Sequence, residues 1–285
     1  MAVGNLAQRF LVAMIAAPIL ILILYVGRPE PTFAVIFIAA LLAMREYFAM
    51  TLPVEDRGNA LVLGGIAVLA FYALHPTTML MYTHGPWATI AGFAGSTIAL
   101  FCAVVVPGLF YLFKFRDMTT VAVRYAATVT GIVYAGFLTM FLALLQNVGG
   151  GDLVLLVLLV AWVADTGAYF AGRFLGNAKL YAAVSPKKTW AGAWGGLAGS
   201  LVGAALLKVI HFHALGWDDV VLIAIPGGIL GQMGDLAESM IKRSTGVKDS
   251  GALLPGHGGI LDRIDAVLFI APYVFIYVQV RGAFA

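Results

Sequence analysis

Nine apolar runs alternate with short polar connections along the 285 residues of this chain. A helix needs about 20 consecutive apolar residues to cross the hydrocarbon core of a bilayer. Backbone groups in hydrocarbon must hydrogen-bond to one another, so the runs predict an all-α fold, a polytopic integral membrane protein with about nine transmembrane helices. The runs are Phe10–Val26, Thr32–Met50, Ala60–Leu74, Ala88–Phe113, Ala126–Gln146, Leu153–Gly172, Gly192–Ile210, Val220–Met240 and Leu261–Val280.

The first run, behind Arg9, has the length of a signal peptide, but Leu24-Tyr25-Val26-Gly27 lacks the small-x-small pattern of a cleavage site. We therefore predict an uncleaved first helix. Residues 1–150 hold about five of the predicted helices, and residues 151–285 hold the remainder together with the polar motifs. We expect both parts to form a single membrane domain.

The composition agrees with the pattern. Hydrophobic residues make up 62% of the chain and charged residues 11%, with a mean hydropathy of +0.97, which places the chain in the membrane class. A formal charge of +3 is too small to indicate nucleic-acid binding. The single cysteine, Cys102, excludes a disulfide framework, and no zinc-site or P-loop spacing is present.

The basic residues indicate an orientation. With nine spans and an inside N-terminus, 14 of the 17 basic residues fall on the inside, and only Arg28, Lys208 and Arg281 fall outside. This asymmetry predicts a multi-pass protein of the cell membrane, in a bacterium the plasma or inner membrane. It also places the polar motifs on the cytoplasmic side.

Charge is concentrated between Asp235 and Asp265. Acids that can hold a cation lie there among bases that can hold an anion, the combination that a metal-phosphate substrate requires. The five acids and four bases are Asp235, Glu238, Asp249, Asp262, Asp265, Lys242, Arg243, Lys248 and Arg263.

Helical spacing orders part of this cluster. Asp235, Glu238, Ser239 and Lys242 fall at i, i+3, i+4 and i+7, which places them on one stripe of a helix. Asp262 and Asp265 share a face of the next helix by the same argument. The glycine-rich connection between the two helices allows backbone N–H groups to approach an anion, and its alternative use is a tight return between helices.

Two further motifs precede the cluster. Asp165 lies inside an apolar run, where an acid is expensive and is a candidate for function; the alternative is an Asp hydrogen-bonded to a neighbouring helix. Lys187 and Lys188 lie within Ser185–Thr189, where two lysines serve as topogenic charge, as a lipid-headgroup contact or, beside so many acids, as a phosphate site. Thr189 is positioned to cap the following helix.

Other polar residues within or between the runs have simpler interpretations. Arg45 and Glu46 predict an ion pair near the membrane interface rather than a catalytic pair. Four histidines fall on the predicted outside and are not expected to take part in chemistry: His75, His84, His211 and His213.

The charged segment resembles the signature of the phosphatidate cytidylyltransferases, also called CDP-diacylglycerol synthases. Trp162-x-x-Asp165 and the Ser185–Thr189 motif are similar to that family as well, and one position departs from it, since Ala191 stands where family members commonly carry Glu. The matching segment reads Ser239-x2-Lys242-Arg243-x4-Lys248-Asp249-x-Gly251-x2-Leu254-Pro255-x-His257-Gly258-Gly259-x2-Asp262-Arg263-x-Asp265.

The resemblance implies an enzyme of phospholipid biosynthesis that joins CTP and phosphatidic acid into CDP-diacylglycerol, with pyrophosphate released and Mg²⁺ required. A second cation and a homodimer are left open. The implied catalytic residues are Asp235, Lys242, Asp262, Arg263 and Asp265. The implied metal ligands are Asp235, Asp262 and Asp265, with Asp165 as a further candidate. The implied substrate-binding residues are Ser185, Lys187, Lys188, Thr189, Ser239, Arg243, Lys248, Asp249, His257, Gly258 and Gly259.

Two alternatives use the same residues differently. A CTP-dependent lipid kinase of the polyprenol type handles the same nucleotide and metal but transfers the γ-phosphoryl group, and the complete signature argues against it. A secondary transporter also carries acids inside membrane helices, but it predicts two inverted halves with matching broken helices. The charges of this chain are gathered in its C-terminal part instead.

Overall fold

A computed structural model describes residues 17–25, 28–82, 86–114, 116–253 and 258–282. Within these residues the chain is nearly all helical. A short helical segment over residues 17–24, α1, precedes nine further α-helices of the described residues, and a six-residue π-helix joins α6 to α7. The helices are α2 Pro29–Thr51, α3 Val54–Ala73, α4 Pro76–Tyr82, α5 Pro86–Lys114, α6 Met118–Gly131, the π-helix Ile132–Phe137, α7 Leu138–Leu175, α8 Trp190–Ile210, α9 Trp217–Ser244 and α10 Leu261–Arg281.

Six helical stretches of the described residues are long and apolar enough to cross a membrane. The expected count of about nine is not confirmed. One cause is α3, whose first turn carries Glu55, Asp56 and Arg57 and which is not among the six. Another is the first apolar run, of which residues 10–16 and 26 lie outside the described residues. The six are Pro29–Thr51, Ala94–Lys114, Met118–Leu175, Trp190–Ile210, Trp217–Ser244 and Leu261–Arg281.

The longest of the six stretches combines two of the predicted runs. It has 58 residues, which at 1.5 Å per residue is about 87 Å, roughly three times the thickness of a hydrocarbon core. The backbone breaks inside it, because Gly149 and Gly150 have non-helical angles and Gly150 has a φ of 67°. The stretch is therefore bent at these glycines rather than straight.

The outer surface of the helices is apolar. Ile66, Phe113 and Val209 are 64%, 80% and 61% exposed, while the core behind them is filled by fully buried side chains such as Phe48 and Met140. A helix that is hydrophobic on its outer face as well as its inner face is typical of a membrane span. The multi-pass membrane prediction is confirmed in this respect.

Glycines let α7 and α8 pack with their backbones in contact. A Cβ on Gly203 of α8 would lie 2.6 Å from the carbonyl oxygen of Leu159, and one on Gly195 would lie 2.7 Å from the carbonyl oxygen of Gly167. Small residues at such seams allow the closest helix approach in membranes. We call this contact the α7–α8 glycine seam.

One polar segment departs from the all-α expectation. Strand β1, Lys179–Tyr181, pairs antiparallel with strand β2, Ser185–Thr189. The two lysines of the Ser185–Thr189 motif therefore lie on a strand. Thr189 ends the strand and caps α8 as predicted, since its hydroxyl accepts a hydrogen bond from the Gly192 N–H at 3.1 Å.

Candidate active site

The hairpin and the four helices α7, α8, α9 and α10 surround a polar cavity of about 620 Å³. Helix α7 contributes Asp165, strand β2 contributes the lysine pair, α9 contributes its predicted stripe, and α10 contributes the two aspartates of its first turns. Six acids and five bases line the cavity, among other residues: Asp165, Asp235, Glu238, Asp249, Asp262, Asp265, Arg173, Lys187, Lys188, Lys242 and Arg263.

Lys242 is held between two carboxylates. Its Nζ lies 2.6 Å from Oε2 of Glu238, one turn earlier on α9, and 2.6 Å from Oδ1 of Asp262 on α10. The three side chains are buried, with exposed fractions of 10%, 1% and 10%. A buried charge placed between two opposite charges is fixed in position, because breaking either contact would leave an uncompensated charge.

The second oxygen of Asp262 binds backbone. Its Oδ2 accepts hydrogen bonds from the N–H groups of Ser250, at 3.1 Å, and Gly259, at 2.9 Å. Gly258 between them has a φ of 78°, and a Cβ there would lie 2.8 Å from Oδ2 of Asp262. This position therefore requires glycine for both its backbone angle and its space. Asp262 thus fastens both ends of the glycine-rich connection to α10.

Asp235 bridges the hairpin and α9. Its Oδ2 lies 2.6 Å from Nζ of Lys188, and its Oδ1 accepts a hydrogen bond from the Ser239 hydroxyl at 3.4 Å. The carboxylate is about one third exposed. This ion pair brings together two motifs that are separate in the sequence.

Three carboxylates of the cavity lie within electrostatic reach of one another. Asp165, Asp235 and Asp265 interact electrostatically, and Glu238 acts on Asp265 as well. The Oε1 oxygen of Glu238 is buried and accepts no hydrogen bond within the described part of the chain. Hard carboxylate oxygens gathered around one cavity fit a cation such as Mg²⁺. No three His, Cys, Asp or Glu side chains of the described residues are arranged as a finished metal site, however.

Comparison with known proteins identifies the family. A model of the "Cytidylyltransferase family" matches residues 7–281. The chain belongs to this family.

Curated relatives in the family are named phosphatidate cytidylyltransferase. The protein of Bacillus subtilis (strain 168) is 30% identical over 278 residues, covering 95% of this chain and 97% of the relative. The protein of Synechocystis sp. (strain ATCC 27184 / PCC 6803 / Kazusa) is 33% identical over 277 residues, covering 86% and 87%. The protein of Brucella suis biovar 1 (strain 1330) is 43% identical over 149 residues, covering 52% of this chain, and the match spans about half, 55%, of that relative.

The cavity does not include every residue that the family signature implied. Arg243 and Lys248 are exposed and do not line it, and Arg243 donates to the backbone oxygen of Val247 at 3.1 Å. Ser185 and Ser239 also lie outside the lining. Gly258 and Gly259 belong to the connection that Asp262 fastens, and His257 falls outside the described residues.

One residue of the cavity was missed from sequence, and one contact elsewhere was predicted wrongly. Arg173 lines the cavity and donates to the Tyr169 hydroxyl at 2.6 Å, and its position two turns after Asp165 on the same helix was an available signal. The prediction of an Arg45–Glu46 ion pair is wrong for the described residues. Glu46 is 6% exposed and its carboxylate binds the C-terminal connection instead.

Proposed function

We propose that this protein transfers the cytidylyl group of CTP to phosphatidic acid, forming CDP-diacylglycerol and pyrophosphate. The observation that carries the proposal is the cavity, in which the carboxylates and cations of the family signature meet between membrane helices. The names of the Bacillus subtilis and Synechocystis relatives, which match nearly the whole chain, support these substrates.

The chemistry joins two anions. An oxygen of the lipid phosphate attacks the α-phosphorus of CTP and forms a P–O bond, and the bond from that phosphorus to the bridging oxygen breaks. Pyrophosphate leaves with the electron pair. The attacking oxygen is already anionic, so the protein must supply charge neutralisation and positioning rather than a covalent nucleophile.

The cationic side chains suit these tasks. Lys187 is exposed on β2 and lines the cavity, so it can meet the triphosphate as it arrives. Lys242 is buried and fixed, which suits an electrostatic role at the reacting phosphates. Arg173 and Arg263 also line the cavity and add charge for phosphate oxygens.

Mg²⁺ is the cofactor that we propose. Asp165, Asp235 and Asp265 would hold it, because they carry the carboxylates that interact across the cavity. Bound there, the ion would neutralise charge on the phosphates. Asp262 was predicted as a ligand too, and its contacts to Lys242, Ser250 and Gly259 favour a role in holding those groups.

A neighbouring groove supports a lipid substrate. An apolar groove of about 460 Å³ shares Leu180, Ala193 and Gln232 with the polar cavity, and exposed Trp190 and Trp194 line it. We propose that acyl chains lie in this groove while the lipid phosphate enters the cavity. The basic asymmetry supports a cavity that faces the cytoplasm, where CTP is made.

The test is purified protein with phosphatidic acid, Mg²⁺ and CTP labelled at either the α- or the γ-phosphate. The proposal expects label from α-labelled CTP in the lipid fraction and release of pyrophosphate. Lipid labelled only from γ-labelled CTP would identify a lipid kinase and overturn the proposal. A heat-denatured sample serves as the control.

A further inference from the structure

The carboxylate of Glu46 lies on α2, far along the chain from the charged signature, yet it touches that signature at three points. Oε1 accepts a hydrogen bond from the Ile260 N–H at 3.0 Å. Oε2 accepts hydrogen bonds from the Leu261 N–H at 2.9 Å and the Ser250 hydroxyl at 3.1 Å. The side chain is buried, with 6% of the residue exposed.

These contacts cap a helix. Ile260 is the N-cap residue of α10 and Leu261 is its first helical residue, and Ile260 supplies no side-chain cap of its own. The first N–H groups of a helix have no partner inside the helix, and a carboxylate there also interacts favourably with the helix dipole. Glu46 provides this cap from another helix.

The same carboxylate explains two signature glycines. A Cβ on Gly251 would lie 2.5 Å from Oε1 of Glu46, and a Cβ on Gly259 would overlap its Oε2. Neither residue has a positive φ among the described glycines. Gly251 is small because the Glu46 carboxylate occupies the space, and Gly259 because the Ser250 hydroxyl and the Glu46 carboxylate occupy it together; neither backbone needs an unusual conformation.

Glu46 and Asp262 hold the connection together. Asp262 binds the N–H groups of Ser250 and Gly259, while Glu46 binds the Ser250 hydroxyl and the N–H groups of Ile260 and Leu261. The N–H of Asp262 in turn lies 3.3 Å from the Ser250 hydroxyl oxygen. Ser250 is therefore shared by the two carboxylates, and the position of Asp262 depends on both.

We propose that Glu46 is a positioning residue for the active site. It fixes the first turn of α10, and through it Asp262 and Asp265, without lining the catalytic cavity itself. The inference rests on the proposed function where turnover is concerned. The structural part, in which Glu46 binds the connection between α9 and α10, does not depend on which reaction is catalysed.

The experiment compares Glu46→Gln, Glu46→Asp and Ser250→Ala in purified protein. Gln keeps the shape but turns one acceptor into a donor that faces an N–H group. Asp keeps the charge but withdraws it by one methylene. Glu55→Gln is the matched control, because Glu55 is an exposed acid in the first turn of α3, just after α2.

Two readouts are taken. Hydrogen exchange of residues 249–253 and 258–264 should speed up in Glu46→Gln and Glu46→Asp and stay unchanged in Glu55→Gln. The kcat should fall about ten- to hundred-fold, as expected for a small misplacement of a catalytic group. The KM for CTP should change less than about threefold. The double variant with Ser250→Ala should lose less than the product of the single effects, because the two residues share one contact.

Each outcome of these measurements supports or overturns a stated part of the Glu46 proposal. If hydrogen exchange of the two segments is unchanged in Glu46→Gln and Glu46→Asp, Glu46 does not hold the connection in place. This conclusion stands even if the wild-type protein makes no CDP-diacylglycerol. Unchanged kcat in folded Glu46→Gln, with faster exchange, overturns the catalytic part. Full activity of Glu46→Asp would show that charge alone suffices and would overturn positioning by hydrogen bonds. If Glu46→Gln does not fold, Ser250→Ala takes its place. Faster hydrogen exchange and a lower kcat are then expected, with smaller changes than for Glu46→Gln. Wild-type exchange and wild-type kcat in Ser250→Ala would overturn the proposal.

Discussion

Lys188 and Asp235 join the hairpin to α9 through an ion pair of 2.6 Å. Both side chains line the cavity, and both are partly exposed, at 25% and 34%. Lys187 is the neighbouring residue on β2 and is more exposed. The two lysines therefore have different surroundings although they are adjacent, since one is engaged with an acid and the other faces the open cavity.

This difference predicts the effect of Lys187→Ala. Its ammonium group meets the nucleotide in the ground state and in the transition state alike, so its loss should raise the KM for CTP about tenfold with little change in kcat. Steady-state kinetics in mixed micelles, with CTP varied at saturating phosphatidate, measure both constants. Lys179→Ala on β1 is the control, because Lys179 is exposed and does not line the cavity. A fall in kcat at constant KM would refute the assignment.

Lys242→Ala should act on both folding and turnover. The change leaves Glu238 and Asp262 buried without their shared cation, which costs about 3–5 kcal/mol of stability for a broken buried ion pair. We expect a lower thermal unfolding midpoint in detergent and a kcat lower by at least about a hundredfold. Lys114→Ala, at the exposed end of α5, is the control. An unfolding midpoint of Lys242→Ala equal to that of the wild type would contradict a stabilising contact of Lys242 with Glu238 and Asp262.

The carboxylates across the cavity predict a binding site for Mg²⁺ that can be measured without substrate. Mg²⁺ should raise the unfolding midpoint of the wild-type protein, because binding to the folded state stabilises it. The shift should be lost in Asp265→Asn and kept in Asp218→Asn, whose acid pairs with Arg281 at the other end of α9. Chelation by EDTA should abolish turnover, and added Mg²⁺ should restore it. Equal shifts in both variants would exclude Asp265 as a ligand.

The orientation is tested by labelling a cysteine at the end of α9. Ser244 is exposed and follows the charged stripe, so Ser244→Cys in a Cys102→Ala background offers one reactive thiol. A membrane-impermeant thiol reagent should label it in broken cells and inverted vesicles but not in intact cells. Labelling in intact cells would reverse the predicted topology.

The α7–α8 glycine seam predicts a cost for added volume. A Cβ in Gly203→Ala would meet the Leu159 carbonyl oxygen and the Val163 side chain, so the helices must separate, at about 1–3 kcal/mol. Gly58→Ala in α3 is the control, since nothing lies within 4 Å of its added Cβ. Thermal unfolding in detergent compares the two. A Gly203→Ala midpoint equal to that of Gly58→Ala would mean that the seam is loose.

Much of the fold was predictable because a helix that spans a membrane needs a long apolar run, and such runs are visible in the sequence. The run Gly192–Ile210 became the helix Trp190–Ile210, and Val220–Met240 lies inside Trp217–Ser244. The stripe of Asp235, Glu238 and Lys242 was correct because helical spacing alone determines which side chains share a face.

Other features depend on contacts that local patterns do not contain. Strand β2 has five residues, with two lysines and a proline, and shows no alternation that would predict a strand. Glu46 finds its partners at Ser250 and Leu261, 204 and 215 positions away, so its neighbour Arg45 was the wrong partner to expect. The number of spans differs for another reason: two predicted runs form one bent stretch at Gly149 and Gly150, and the charged first turn of α3 removes that helix from the count.

The backbone contact between α7 and α8 also limits how the cavity can change shape. Asp165 lies on α7, and β2 runs into α8 through the Thr189 cap, so these parts form one continuous wall of the cavity. Helices α9 and α10 form the opposite wall. The two walls are tied together, because the Ser200 hydroxyl of α8 donates to the Ala224 carbonyl of α9 at 2.9 Å and the Gln232 amide of α9 donates to the Ala193 carbonyl of α8 at 3.1 Å. We therefore expect the cavity to be largely preformed, with the Lys188–Asp235 ion pair as the contact that a nucleotide phosphate has to replace.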